Sequence, residues 1–146
     1  MKIAIGCDHA AYAYKTKLIG FLEEKGHTVT DFGCDSEQSV DYADYALPVA
    51  NAVVNGDCER GILICYTGIG MSIAANKVKG VRCALCGDPL SARLTRQHND
   101  TNVLALGAGV IGLPMAEEIV SVWLEETFQG GRHKRRIDKI MEIEAR

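Results

Sequence analysis

No apolar run in this 146-residue chain approaches the roughly 20 residues that a membrane-spanning helix needs. The amino terminus has no leader-like core either. Met1-Lys2 is followed by only three apolar residues before Gly6, so a cytoplasmic protein without a membrane partner is expected. Positive charge is not in excess: 16 Lys and Arg face 19 Asp and Glu, a net charge of -3. That gives no electrostatic reason to expect nucleic-acid binding, although a local basic patch can still hold an anion. A zinc set is lacking too. Cys83 and Cys86 form one C-x-x-C pair, with no second pair or nearby histidine to complete it. Cys83 falls in an apolar run, where a buried thiol is the simpler reading. In a reducing compartment all six cysteines are expected as thiols. Repeats, low-complexity stretches and linkers are absent, so residues 1–146 are expected to form one domain.

What is present alternates between strand-like and helix-like segments. Lys2–Gly6, Thr28–Phe32, Ile62–Cys65, Val81–Leu85 and Val103–Leu106 read as strands. Ile62–Cys65 is continuously apolar, the mark of a strand buried on both faces. Tyr14, Leu18, Phe21 and Leu22 recur at helical spacing, and Gly26 ends that helix. Ala46–Val54 and Ser72–Val78 read as helices. Asp88-Pro89 and Pro114 open two more helices. After Gly130-Gly131 comes a basic helix with Ile137, Ile140 and Met141 on one side. Five strands separated by helices predict an α/β, Rossmann-like three-layer sandwich on a parallel sheet. The last helix has the least claim on the core and is expected to reach a partner subunit. Ligands in such sheets bind at the carboxyl ends of the strands.

Two loops fall at that edge: Gly6–His9 and Cys65–Gly70. In the second, Gly68 and Gly70 let backbone amides approach an anion, and the same field favours a thiolate on Cys65. One loop could then supply a base and an oxyanion hole. The competing reading is a tight strand-to-helix turn around a buried cysteine. A dinucleotide fingerprint fails, because the loop follows the third strand and Ile73 stands where the last small residue belongs. A cysteine-phosphatase loop fails as well. It needs arginine six residues after the cysteine, where Met71 stands.

A third polar stretch, Arg96–Asn102, precedes the fifth strand. Its His98 therefore belongs on the edge opposite Cys65, either as a surface histidine at a helix end or as part of another subunit's site. Asp8 reads as a helix cap or as a group orienting His9 or a substrate hydroxyl. Arg132 and Arg136 share a helix face, which suits a phosphate dianion or simply solvent.

These features occur together in one family. Gly6–Ala10 (GCDHA), Asp41–Ala46 (DYADYA), Gly61–Lys77, Arg96–Gly107 (RQHNDTNVLALG) and Gly130–Arg136 (GGRHKRR) resemble the type B ribose-5-phosphate isomerases and galactose-6-phosphate isomerase subunits almost end to end. The resemblance implies an aldose-ketose isomerase acting through an enediolate. A hexose 6-phosphate of allose or galactose type is the alternative substrate, and a non-catalytic sugar-phosphate-binding protein the alternative class. It implies a homodimer with shared sites, leaves a tetramer open, and implies no metal and no cofactor. Cys65 matches the base, His98 the ring-opening residue, and Thr67, Gly68, Ile69 and Gly70 the loop around the reacting oxygens. Asp8, Asn99 and Tyr42 match sugar contacts; His9, Arg132 and Arg136 match the phosphate site. Two positions depart from the pattern. Tyr66 stands where the family has glycine in C-G-T-G, and Gly109 where it has arginine in G-x-R-x-x-G. Tyr66 is therefore expected to narrow or cover the site, and one phosphate contact is expected to be missing.

Overall fold

In the computed structural model, which describes residues 1–146, one five-stranded sheet forms the centre. Its strands are β1 (Lys2–Cys7), β2 (Thr28–Asp31), β3 (Arg60–Cys65), β4 (Cys83–Leu85) and β5 (Val103–Gly107). They run parallel in the order β2-β1-β3-β5-β4. The helices are α1 (Tyr12–Glu24), α2 (Tyr42–Val54), α3 (Ile69–Ala75), α4 (Pro89–Asn99), α5 (Leu113–Glu125) and α6 (Arg132–Glu144). None is long and apolar enough to cross a membrane.

Strand alternation divides the core into two layers. Ile3, Ile5, Ile62, Ile64, Leu104 and Leu106 face α1 and α5, where Leu18, Leu22, Ile119 and Trp123 meet them. The other face is smaller. Ala4, Leu63 and Cys65 pack on Val49, Ala50 and Met71 of α2 and α3. Gly6 and Gly61 lie directly beneath α2. A Cβ on either would come within 2.9 Å of Val49. Missing side chains thus bring α2 close to the sheet.

The α/β sandwich follows the expected architecture, with shifted boundaries. α2 begins at Tyr42, four residues before the apolar pattern starts, because Tyr42–Asp44 are exposed and carry no periodicity. α3 spans Ile69–Ala75 rather than Ser72–Val78, since the left-handed Gly68 starts it directly and turns follow Ala75. β4 omits Val81, whose N–H donates to Val78 O in a turn. Helix α6 packs on α4, burying His133 and Ile137 and leaving Ile140 and Ile143 exposed.

Candidate active site

Cys65 ends β3, the central strand, and its backbone is tied to the chain leaving β5. Ala108 N donates to Cys65 O at 2.9 Å, and Gly109 N to Tyr66 O at 2.8 Å. The next turn needs glycine at 68. Its φ is +78°, and a Cβ there would sit 2.6 Å from Leu85 Cδ1 and 2.8 Å from the Leu106 carbonyl carbon. This folds the Gly68 amide back onto Cys65, so that Gly68 N–H donates to Sγ at 3.1 Å. Thr67 Oγ1 accepts from Ile69 N at 3.2 Å. Two of the amides expected to meet a substrate oxygen are therefore engaged by side chains of the same loop.

Other residues converge on this edge. Asp8 is buried and caps a short turn, its Oδ1 accepting from Ala10 N at 3.0 Å. The capping reading of Asp8 thus holds for that oxygen. His9 Nδ1 accepts from Val40 N at 3.1 Å, which leaves Nε2 to carry the ring proton as a donor. Three tyrosine rings rest on glycines here. Tyr42 covers Gly70, Tyr45 covers Gly33 and Tyr66 covers Gly109, each leaving no room for a Cβ beneath it. The Tyr66 ring lies on Gly109 and is 62% exposed. Beside the loop is a cavity of about 290 Å³, lined by Thr67, Ile69 and Val110 among others.

The remaining predicted residues lie elsewhere. Cys65 pairs with Gly107 at the end of β5, whereas His98 and Asn99 precede Val103 at its start. The intervening strand alone separates the two groups by roughly 13 Å. His98 is not a free surface histidine. Its ring stacks on His133 of α6, with centroids 4.2 Å apart and planes 9° from parallel. Burial, together with the charge of His98, Arg132 and Arg136, holds His133 below the ordinary histidine range. The end of α4 is fixed from below. Buried Arg96 donates to Asp100 Oδ1 at 2.8 Å and to Thr101 O, and Trp123 Nε1 donates to Thr101 Oγ1 at 3.0 Å. The largest cavity, about 460 Å³, opens on this side and includes Asn99 and Arg82.

His133 is the member of this cluster that the motifs passed over. Its signal was its spacing: four residues before Ile137, it shares that residue's inward face, opposite the charges around it. Burial pushes Cys7 and Cys83 up to about 12 and Cys86 to about 11. No three or more His, Cys, Asp or Glu side chains come together as a metal-binding group.

Comparison with known proteins places these features in context. Residues 3–140 match the model of the Ribose/Galactose Isomerase family. The chain is 50% identical to ribose-5-phosphate isomerase B of Escherichia coli over 145 residues, covering 99% of this chain and 97% of that one. It is 45% identical to D-erythrulose-4-phosphate isomerase of Pectobacterium atrosepticum over 141 residues, covering 96% and 93%. Among solved structures, ribose-5-phosphate isomerase B of Clostridium thermocellum superposes with a TM-score of 0.98 at 54% identity, covering 99% and 98%.

Proposed function

The chain belongs to the Ribose/Galactose Isomerase family, and from that membership we propose that it interconverts ribose 5-phosphate and ribulose 5-phosphate by proton transfer at Cys65. The observation that carries the residue assignment is the Gly68 N–H aimed at Cys65 Sγ, which supplies a donor to sulfur at the head of the loop. Cys65, as thiolate, takes the proton from the second carbon of the open-chain aldehyde. The electron pair moves into the C1–C2 bond and the carbonyl oxygen becomes an enediolate oxygen. Cys65 returns the proton to the first carbon, and the hydroxyl proton passes from the second oxygen to the first. Loop amides of Gly68 and Gly70, re-aimed at the substrate, and the Thr67 hydroxyl stabilise the enediolate. Asp8 and Tyr42 bound the sugar.

His98 opens the sugar ring, and its separation from Cys65 supports a site shared with a second chain. Each protomer of a homodimer then offers two half-sites. One carries Asp8, His9 and the Cys65–Gly70 loop. The other carries His98, Asn99, Arg132 and Arg136, and α6 brings those arginines to the phosphate. His9, with Nε2–H as donor, completes the phosphate contacts.

A second reading keeps the chemistry and changes the sugar, to a hexose 6-phosphate or a shorter chain. It is favoured by the 45% identity to an isomerase of D-erythrulose 4-phosphate. A coupled assay across tetrose, pentose and hexose phosphates, with wild type and Cys65→Ala, decides between them. Ribose 5-phosphate should turn over, and Cys65→Ala should lower kcat by about a hundred- to ten-thousand-fold with little change in KM. Turnover of another sugar phosphate alone would replace the substrate. No turnover of any would leave only binding.

A further inference from the structure

Tyr66 and Gly109 lie at two distant sequence positions, yet they occupy one place in the structure. A Cβ on Gly109 would lie 2.4 Å from two atoms of the Tyr66 ring and 2.6 Å from a third. The backbone of Gly109 is not in the left-handed region, so its conformation accepts any residue. The ring is what a side chain there meets first, and it would have to move aside. Gly109 N also donates to Tyr66 O, which fixes the two backbones to each other at 2.8 Å. The aromatic ring is thus laid down on a glycine seat, with the rest of it exposed beside the Cys65–Gly70 loop.

The segments of this chain that form the corner carry no cation. Cys65–Gly70, Leu85–Gly87 and Gly107–Gly112 contain no Lys, Arg or His, and the nearest charge in sequence is the carboxylate of Asp88. These segments offer a phosphate dianion no charged side chain, whereas the C–H face of a sugar chain can lie against an aromatic face. We propose that Tyr66, seated on Gly109, is a specificity-determining wall that contacts the sugar carbons of the substrate and not its phosphate. This rests on the isomerase reading above. Gly109 is the positioning residue: it acts only through the ring it supports.

The test is steady-state kinetics with ribose 5-phosphate, together with competitive inhibition by inorganic phosphate, on wild type, Tyr66→Ala, Tyr66→Phe and Gly109→Ala. Tyr66→Ala should raise KM about three- to ten-fold with kcat nearly unchanged, as the loss of one aromatic contact predicts. Tyr66→Phe should stay within about twofold of wild type, because the ring remains. The inhibition constant of inorganic phosphate should not move in either. Gly109→Ala, checked for folding by thermal melting, should raise KM as Tyr66→Ala does, and the double variant should be no worse than Tyr66→Ala. Should Gly109→Ala not fold, the two Tyr66 variants carry the test alone. An unchanged KM in Tyr66→Ala would remove the wall. So would a Tyr66→Phe variant as impaired as Tyr66→Ala, or a parallel loss of phosphate inhibition. Absence of turnover in the wild-type chain would remove the isomerase reading itself, a different result.

Discussion

His98 and His133 lie ring against ring, 4.2 Å between centroids, joining the end of α4 to the first turn of α6. Two imidazoles in that arrangement repel when both are protonated, and Arg132 and Arg136 add to the effect on His133. The stack therefore ties the position of His98 to the protonation of its neighbour.

The pH dependence follows in sign. His133 in the folded chain titrates below its ordinary value of 6.5, so below that pH the unfolded chain binds more protons than the folded one. Stability contributed by neutral His133 is present above 6.5 and is lost as pH falls through the lowered value. Denaturant melts from pH 8 to pH 5 should show this loss, and His133→Phe should flatten it while keeping a ring for His98 to stack on. His27, also lowered by burial and by the terminal amino group, contributes in the same direction and persists in the variant.

Complementation tests the sharing of sites between chains. Cys65→Ala and His98→Ala should each be nearly inactive as pure proteins. Unfolded and refolded together in equal amounts, they should regain about a quarter of wild-type activity, because half the dimers are mixed and each has one intact site of two. A mixture as inactive as its components would place both residues in one chain's site.

Lys15 is only 1% exposed, and its Nζ donates to Asp31 Oδ1 at 2.7 Å and Cys34 O at 2.6 Å. Asp31 is 45% exposed. Removing the two partners should have unequal effects. Asp31→Ala strands a buried ammonium and should cost about 3 kcal/mol. Lys15→Met leaves a hydrated carboxylate and one unpaired carbonyl, and should cost about 1–2 kcal/mol. Urea melts of both variants check the order.

Gly68→Ala meets two obstacles at once, the +78° φ and the Leu85 and Leu106 contacts. It should destabilise the fold by more than about 1 kcal/mol and displace the amide that donates to Cys65. Loss of turnover in a protein that still melts cooperatively is the expected result.

The sheet was legible in the sequence because its strands are apolar runs, and β3 declared itself buried by having no polar alternation. Strand order was not legible: β5 lies between β3 and β4, and no local signal records that insertion. Helix starts escaped where polar or glycine-rich residues open them, as at Tyr42 and Ile69. Placing His98 opposite Cys65 needed only the rule that parallel strands and their return helices run in opposite directions. The His133 stack and the Tyr66–Gly109 seat depend on contacts between segments 35 and 43 residues apart, and the spacing of either segment alone does not encode them.

Gly6 and Gly61, buried beneath α2, act as a spacer gauge for the Cys65–Gly70 loop. They set the height of α2 above the sheet, and α2 carries at its upper end the two tyrosines that rest on Gly33 and Gly70. One methyl group added at either glycine would press on Val49 of that helix, and at Gly6 on the Tyr45 carbonyl as well. The height of Tyr42 over Gly70 is thus partly dimensioned in the core, by atoms that are not there.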